Sequence, residues 1–188
     1  MELFFATSND NKVEEFRHAL KDFDLKIKRL NVDVPEIDDD DVESVAEKKA
    51  RDSFEASGVD SPVMVEDSGL YVESLNGFPG SMSGFFIKKC GEDGLLKLMK
   101  ELDNRQAFFK TSIAIYFPEK KEVRLFSGKC FGNISREIKG NNGFGYDPIF
   151  IPENHEKTFA EDIETKKRIS HRKKAVDKLK EFIKDENF

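Results

Sequence analysis

The sequence predicts a mixed α/β protein, and three observations carry that expectation. Short apolar runs of strand character alternate along the chain with stretches whose apolar residues recur at helical spacing. The first run, Leu3 to Ala6, passes straight into small polar residues and then a helix. Apart from the acidic run Asp38 to Asp41, no repeat, low-complexity tract or linker interrupts the 188 residues, so a single domain over residues 1–188 is expected.

After the Leu3 to Ala6 strand, Val13, Phe16, Ala19 and Leu20 mark one face of a helix that runs to about Lys21. Leu25 to Lys28 alternates as a strand does. Val42, Val45, Ala46, Ala50 and Phe54 mark a second helix, which Gly58 is suited to end. Pro62 to Val65 reads as a buried strand ending in Glu66-Asp67-Ser68-Gly69, which places the carboxylates at its C-terminal mouth, where ligands collect in open α/β sheets. Leu70 to Glu73 and the Asn76-Gly77 turn read as a hairpin. A helix containing Leu95, Leu96, Leu98 and Met99 follows Phe78-Pro79-Gly80. Two longer strands are expected near Ala107 to Phe117 and Glu122 to Phe131. A glycine-rich loop, Gly140 to Pro148, then leads to Ile149-Phe150-Ile151 and a basic C-terminal helix.

Composition excludes several classes. With 31 Lys and Arg against 37 Asp and Glu, the formal net charge of −6 argues against general binding to nucleic acid or anionic membrane, which rests on neutralising phosphates. No apolar run approaches the roughly 20 residues that span a bilayer. The start Met1-Glu2-Leu3-Phe4 lacks the basic segment of a signal peptide, so a cytoplasmic location is expected. Cys90 and Cys130 have no metal-ligand spacing and read as inert, semi-buried thiols.

Four clusters carry possible chemistry, each beside a plainer reading. A strand running into Thr7-Ser8-Asn9-Asp10-Asn11-Lys12 and a helix presents backbone N–H groups and a helix dipole to a phosphate, with Lys12 to neutralise it. The same residues also read as an ordinary helix cap with a solvated lysine. Glu36 and the Glu66-Asp67 pair offer oxygen ligands suited to Mg²⁺; alternatively Asp67 caps a turn and Glu36 is solvated. Phe144 and Asp147 pair an aromatic face with a carboxylate, suited to stacking on a base and accepting its ring N–H, or they form a turn with a core phenylalanine. Lys166, Ser170, His171 and Arg172 converge at the start of the last helix. There the plainer reading is a basic surface face, since Lys173, Lys174, Lys178, Lys180 and Lys184 continue the charge.

Seven motifs in order resemble the signature of the inosine triphosphate pyrophosphatases over nearly the whole chain. They are Thr7-Ser8-Asn9-x-x-Lys12, Pro35-Glu36-Ile37, Val65-Glu66-Asp67-Ser68-Gly69-Leu70, Gly77-Phe78-Pro79-Gly80, Gly143-Phe144-Gly145-Tyr146-Asp147-Pro148-Ile149-Phe150, Thr158-Phe159-Ala160-Glu161 and Ile169-Ser170-His171-Arg172. The resemblance implies hydrolysis of deaminated purine nucleoside triphosphates such as ITP, dITP and XTP to the monophosphate and pyrophosphate, with Mg²⁺, by a homodimer. It implies an elongated mixed α/β fold with a central sheet and two lobes, the nucleotide lying in the cleft between them. Thr7 to Lys12 would hold the phosphate tail, with Glu36 and Asp67 on the metal, directly or through water, and Asp67 orienting or deprotonating the attacking water. Ser68, Phe144, Gly145, Tyr146, Asp147, Lys166, Ser170, His171 and Arg172 would also bind the substrate. In that arrangement an N–H or Arg172 at O6 and Asp147 at N1 match hypoxanthine and leave adenine with mismatched partners.

Three departures from the family pattern stand out. Many bacterial members carry Glu-Asn-Ala-x-x-Lys where this chain has Ser44 to Lys49, so only Ala46 and Lys49 fit. Ser81-Met82-Ser83 replaces an aromatic after Pro79-Gly80, and Asp162 stands where an apolar residue is common. Two other readings compete: a Maf-like nucleotide pyrophosphatase, and a non-enzymatic nucleotide- or RNA-binding module. The Phe144 and Ser170 motifs oppose the first, and the net acidity opposes the second.

Overall fold

The computed structural model describes residues 2–35 and 39–185. Its elements follow the expected alternation: β1 (Glu2–Ala6), α1 (Asp10–Ala19), β2 (Lys26–Leu30), α2 (Val42–Ser57), β3 (Val63–Val72), β4 (Pro79–Gly80), α3 (Ser83–Leu98), β5 (Gln106–Phe117), β6 (Glu122–Ile134), β7 (Phe150–Pro152), α4 (Ile163–Ile169) and α5 (His171–Asp185). The strands form one seven-stranded mixed sheet in the order β2-β1-β3-β5-β6-β7, with β4 paired to β3. β1 runs parallel to β2 and to β3, whereas β3 with β4 and β6 with β7 are antiparallel. The expected α/β class with a central sheet is the one adopted.

Local chemistry explains the boundaries. Asp41 accepts the Glu43 N–H at 3.1 Å to start α2, and Gly58 ends it at φ +67, a left-handed conformation that favours glycine. α3 is broken at Gly91, whose φ of 65 departs from the helix. The hairpin expected after Leu70 forms with Leu70 opposite Gly80 and Tyr71 opposite Pro79.

Two expectations are corrected here. β3 does not stop at Val65 but runs ten residues to Val72, so Glu66 and Asp67 lie mid-strand rather than at its mouth. The reason is a change of partner: β1 covers Val63 and Met64, and β4 takes up Leu70 and Tyr71. The basic C-terminal helix is likewise two helices, because Ser170 adopts an extended ψ of 158 between α4 and α5. Ser170 donates its N–H to the Lys166 carbonyl at 3.1 Å and accepts the Lys173 and Lys174 N–H groups on its hydroxyl and carbonyl.

By contact the chain divides into two compact units. Unit 1 comprises Met1–Asp67, Ser112–Ser127 and Ala175–Phe188. In it, alternate residues of the strands feed two cores: Met64, Ile113 and Ile115 pack with α1 and α5, while Val63, Val65 and Ala114 pack with Ala46 and Ala50 of α2. Unit 2 comprises Ser68–Thr111 and Gly128–Lys174, around a core that includes Leu70, Leu95, Phe109, Phe150 and Phe159.

Candidate active site

In unit 1 the turn from β1 into α1 is built by its own side chains. The Asn9 carbonyl side chain accepts the Lys12 N–H at 3.3 Å, capping α1, and the Thr7 hydroxyl accepts the Asn9 N–H at 3.1 Å. Ser8 and Asp10 are exposed, Asn11 lies in the first turn of α1, and the side chain of Asn11 is outside the described residues. Arg29 braces this turn from β2. Its guanidinium donates to the Thr7 carbonyl at 3.2 Å, the Ser8 carbonyl at 3.5 Å and the Asp10 carboxylate at 2.5 Å. Backbone N–H groups at the start of α1 are thereby fixed in direction, as an anion site requires.

Lys12 is not the solvated lysine of the plainer reading. Its ammonium meets the Glu66 carboxylate at 2.5 Å, and the Glu66 side chain is fully buried. Successive side chains of a strand point to opposite faces. Glu66 shares the α1 face with Met64, and Asp67 shares the α2 face with Val65. The two neighbouring carboxylates therefore serve different neighbourhoods: Glu66 holds Lys12, and half-buried Asp67 faces the side of α2. Glu36, expected beside Asp67, lies outside the described residues. Among those described, no three His, Cys, Asp or Glu gather closely enough to hold a metal by themselves. An oxygen-only donor such as Asp67 nevertheless fits a hard cation carried mainly by substrate phosphates.

In unit 2 the Phe144 loop is closed by Asp147. The Asp147 carboxylate accepts the Phe144 N–H at 2.8 Å and the Lys166 ammonium at 2.5 Å, and the Asp147 N–H returns to the Phe144 carbonyl at 3.3 Å. Gly143, at φ +79, has its hydrogen where a Cβ would strike the Asp147 carboxylate. The result is an exposed aromatic ring on a fixed loop: Phe144 is 61% exposed, with Lys166 Nζ 4.2 Å and the Arg172 guanidinium carbon 5.7 Å from its centroid. His171 is buried and stacks on Phe109 with centroids 4.5 Å apart. Ser68, in β3, shares a 2.6 Å hydrogen bond with Thr111 of β5. Gly145 completes the loop at φ +62.

This geometry redistributes the expected roles. Asp147 is 2% exposed and faces its own loop and Lys166, so the group it presents at Phe144 is a lysine donor, not a carboxylate acceptor. Tyr146 is withdrawn from the site. It is buried, its hydroxyl donates to the Ser83 carbonyl at 3.0 Å, and burial pushes that phenol well above its ordinary range. Ser170 is spent on the ends of α4 and α5. Sequence reasoning does not single out Glu66 as the partner of Lys12, nor Arg29 as a brace. Glu66 stands beside Asp67 in one of the seven motifs, and the strand alternation of Val63 to Asp67 is a signal that sends the two carboxylates to opposite faces. Arg29 carries no signal until the β1–β2 register places it beside Phe5.

Two of the three departures also find explanations. Asp162 caps α4, accepting the Thr165 N–H at 3.0 Å and hydroxyl at 2.9 Å, a role an apolar residue cannot fill. Ser83, in the segment that lacks the aromatic, donates to the Gly80 carbonyl at 2.6 Å and accepts the Leu70 N–H at 2.7 Å, tying β3 to β4. Cys90 is exposed rather than semi-buried, and burial lifts the Cys130 thiol to about 11.

The Ham1 family model matches residues 3–182 of the chain. The chain belongs to the Ham1 family. It is 45% identical to the dITP/XTP pyrophosphatase of Pyrococcus horikoshii over 185 residues, covering 98% of this chain and 97% of that protein. It is 44% identical to the dITP/XTP pyrophosphatase of Thermococcus kodakarensis, covering 98% of each. Among solved structures, a HAM1 protein from Coxiella burnetii superposes with a TM-score of 0.89 at 29% identity, covering 98% of this chain and 99% of that one. The family inferred from the seven motifs is thus the one to which the chain belongs.

Proposed function

We propose that this protein hydrolyses deaminated purine nucleoside triphosphates, ITP, dITP and XTP, to the monophosphate and pyrophosphate. The observation that carries this reading is the match over 98% of the chain to relatives named for that activity. The residues supply a chemical rationale. The N–H groups at the start of α1 and the Lys12 ammonium bind the phosphate tail. Asp67 orients a water and takes its proton as the water oxygen bonds to the α-phosphorus. The α-phosphorus to β-phosphate oxygen bond breaks, and pyrophosphate leaves. Glu66 acts by holding Lys12. Asp67 with Glu36 would hold Mg²⁺ together with phosphate oxygens, and the bound ion would withdraw charge from the phosphates.

At the base end, Phe144 stacks on the purine, and Lys166 and Arg172 offer donors only. Such donors match the O6 acceptor of hypoxanthine and xanthine and oppose the amino group of adenine, which favours these bases over adenine; guanine shares the O6 acceptor, and its exclusion falls to the 2-amino group. Asp147 acts as a positioning residue for Lys166 and the Phe144 loop. The homodimer and the cytoplasmic location belong to this reading as well; light scattering and cell fractionation test them. For the described residues, no helix is long and apolar enough to cross a membrane.

The test is pyrophosphate release from ITP, dITP, XTP, ATP and GTP, with Mg²⁺ and with EDTA. Turnover confined to the deaminated substrates and lost in EDTA supports the reading. Preferred turnover of a pyrimidine triphosphate would favour a Maf-like activity, and no turnover of any nucleotide would overturn the enzymatic assignment.

A further inference from the structure

The sheet places two serine hydroxyls, otherwise without a role, on the face that carries Asp67. β3 and β5 are neighbours in the sheet, and two side-chain pairs fix their register: Ser68 bonds to Thr111, and Tyr71 stacks on Phe108 at 4.9 Å. Residue numbers fall on one strand as they rise on the other, so the strands are antiparallel and Asp67 stands directly opposite Ser112. The cores agree with this register two and three steps further on, where Val65 shares a cluster with Ala114 and Met64 shares one with Ile115. Asp67, Ser112 and Ser127 all belong to unit 1.

Ser112 is fully buried at 0% exposure, and its hydroxyl oxygen accepts the Ser127 hydroxyl at 3.2 Å from β6. A hydroxyl carries one proton and two lone pairs. With its oxygen engaged by Ser127, Ser112 has its own proton to give. Directly opposed residues of an antiparallel pair have Cβ atoms about 4.5–5.5 Å apart, within reach of a hydrogen bond made directly or through one water.

We propose that Ser112, oriented by Ser127, is a positioning residue that donates a hydrogen bond toward the Asp67 carboxylate, directly or through a water. A donor bonded to one carboxylate oxygen fixes which oxygen faces the water to be activated. The inference rests on the general-base reading of Asp67 and extends it to a relay that begins at Ser127 on β6.

The experiment is steady-state kinetics of ITP hydrolysis at one pH in the wild type, Ser112→Ala, Ser112→Thr, Ser127→Ala and Asp67→Asn, with thermal melts of each. Loss of a hydrogen bond to a charged group predicts about a tenfold fall in kcat for Ser112→Ala, with KM little changed. Ser127→Ala is expected to lower kcat in the same way by less. Ser112→Thr, which keeps the hydroxyl, should restore it. A purely packing role would lower the melting temperature without lowering kcat of the folded variant. An unchanged kcat in folded Ser112→Ala would overturn the relay. Should that variant not fold, an unchanged kcat in Ser127→Ala would do the same. Near wild-type turnover in Asp67→Asn would instead overturn the general-base reading, so the two failures are distinguishable.

Discussion

Lys12 and Lys166 meet their carboxylates at the same 2.5 Å separation, yet the two pairs are embedded differently. Glu66 belongs to a strand, its side chain is fully buried, and the Lys12 it holds remains 26% exposed beside the helix start. Asp147 belongs to a loop, and the same carboxylate oxygen that meets Lys166 also accepts the Phe144 N–H. In unit 1 the sheet provides the rigidity and the carboxylate holds a cation. In unit 2 there is no strand at Phe144, so one carboxylate sets both the loop and the cation. Neither of these two carboxylates is the one assigned the chemistry, and the comparison separates holding groups from the reacting group, Asp67.

The largest effects should come from emptying the pairs. Lys166→Met leaves Asp147 buried without its cation, and Lys12→Met does the same to Glu66; removing one partner of a buried pair costs about 3–5 kcal/mol. Urea unfolding measures both. A much smaller cost for Lys12→Met alone would show that the strand-borne carboxylate tolerates the loss of Lys12, which would sharpen the contrast. Negligible cost in both variants would break it.

Next comes the division between holding and reacting. Asp67→Asn keeps shape and removes charge, and loss of a general base should lower kcat about a hundredfold or more with the fold intact. Glu66→Gln should instead act mainly on KM through a loosened Lys12. Steady-state kinetics of ITP hydrolysis decide it: equal losses of kcat in the two variants would mean that both carboxylates take part in the chemical step.

Phe144→Ala addresses the base half alone. Stacking on an aromatic is worth about 1–3 kcal/mol per base, so ITP should bind more weakly while tripolyphosphate binding is nearly unchanged. Calorimetric titration with both ligands is the measurement. Equal losses would make the Phe144 loop a scaffold rather than a base platform.

Much of this is legible in the amino-acid sequence. Val42 to Phe54 carries its helical spacing, and Gly58 its stop signal. The seven motifs mark the loops that matter, because residues that touch a ligand cluster in short segments. What they do not separate is contact from scaffold. Tyr146 sits within the same motif as Phe144, but one ring is exposed while the other is anchored on the Ser83 carbonyl. Local spacing does not reveal which residue of a turn faces inward; that depends on the core the turn packs against. The pairing of Lys12 with Glu66 is out of reach for a related reason. It joins residues 54 positions apart, through the packing of α1 on one face of β3.

The smallest predicted effect concerns the caps of the two helices that carry the lysines. Lys12 rides on α1, capped by the amide of Asn9, which does not titrate; Lys166 rides on the seven-residue α4, capped by the carboxylate of Asp162. The Thr165 N–H that this carboxylate accepts, followed by the Thr165 hydroxyl, holds Asp162 below its ordinary value of 3.8. The sign follows from linkage: a carboxylate whose folded value is depressed stabilises the fold fully above its unfolded value, and that stabilisation is lost as pH falls through the folded one. Acid should therefore loosen the start of α4 through its cap, a route that the amide cap of α1 does not offer. Amide hydrogen exchange compared near neutral pH and near pH 3, corrected for intrinsic rates, is the check. Protection of Thr165 and Lys166 should fall relative to Lys12 and Val13 in the wild type, and the differential should shrink in Asp162→Asn, which keeps a cap that does not titrate. An equal fall at both helices would mean that acid acts on the whole fold and not through this cap.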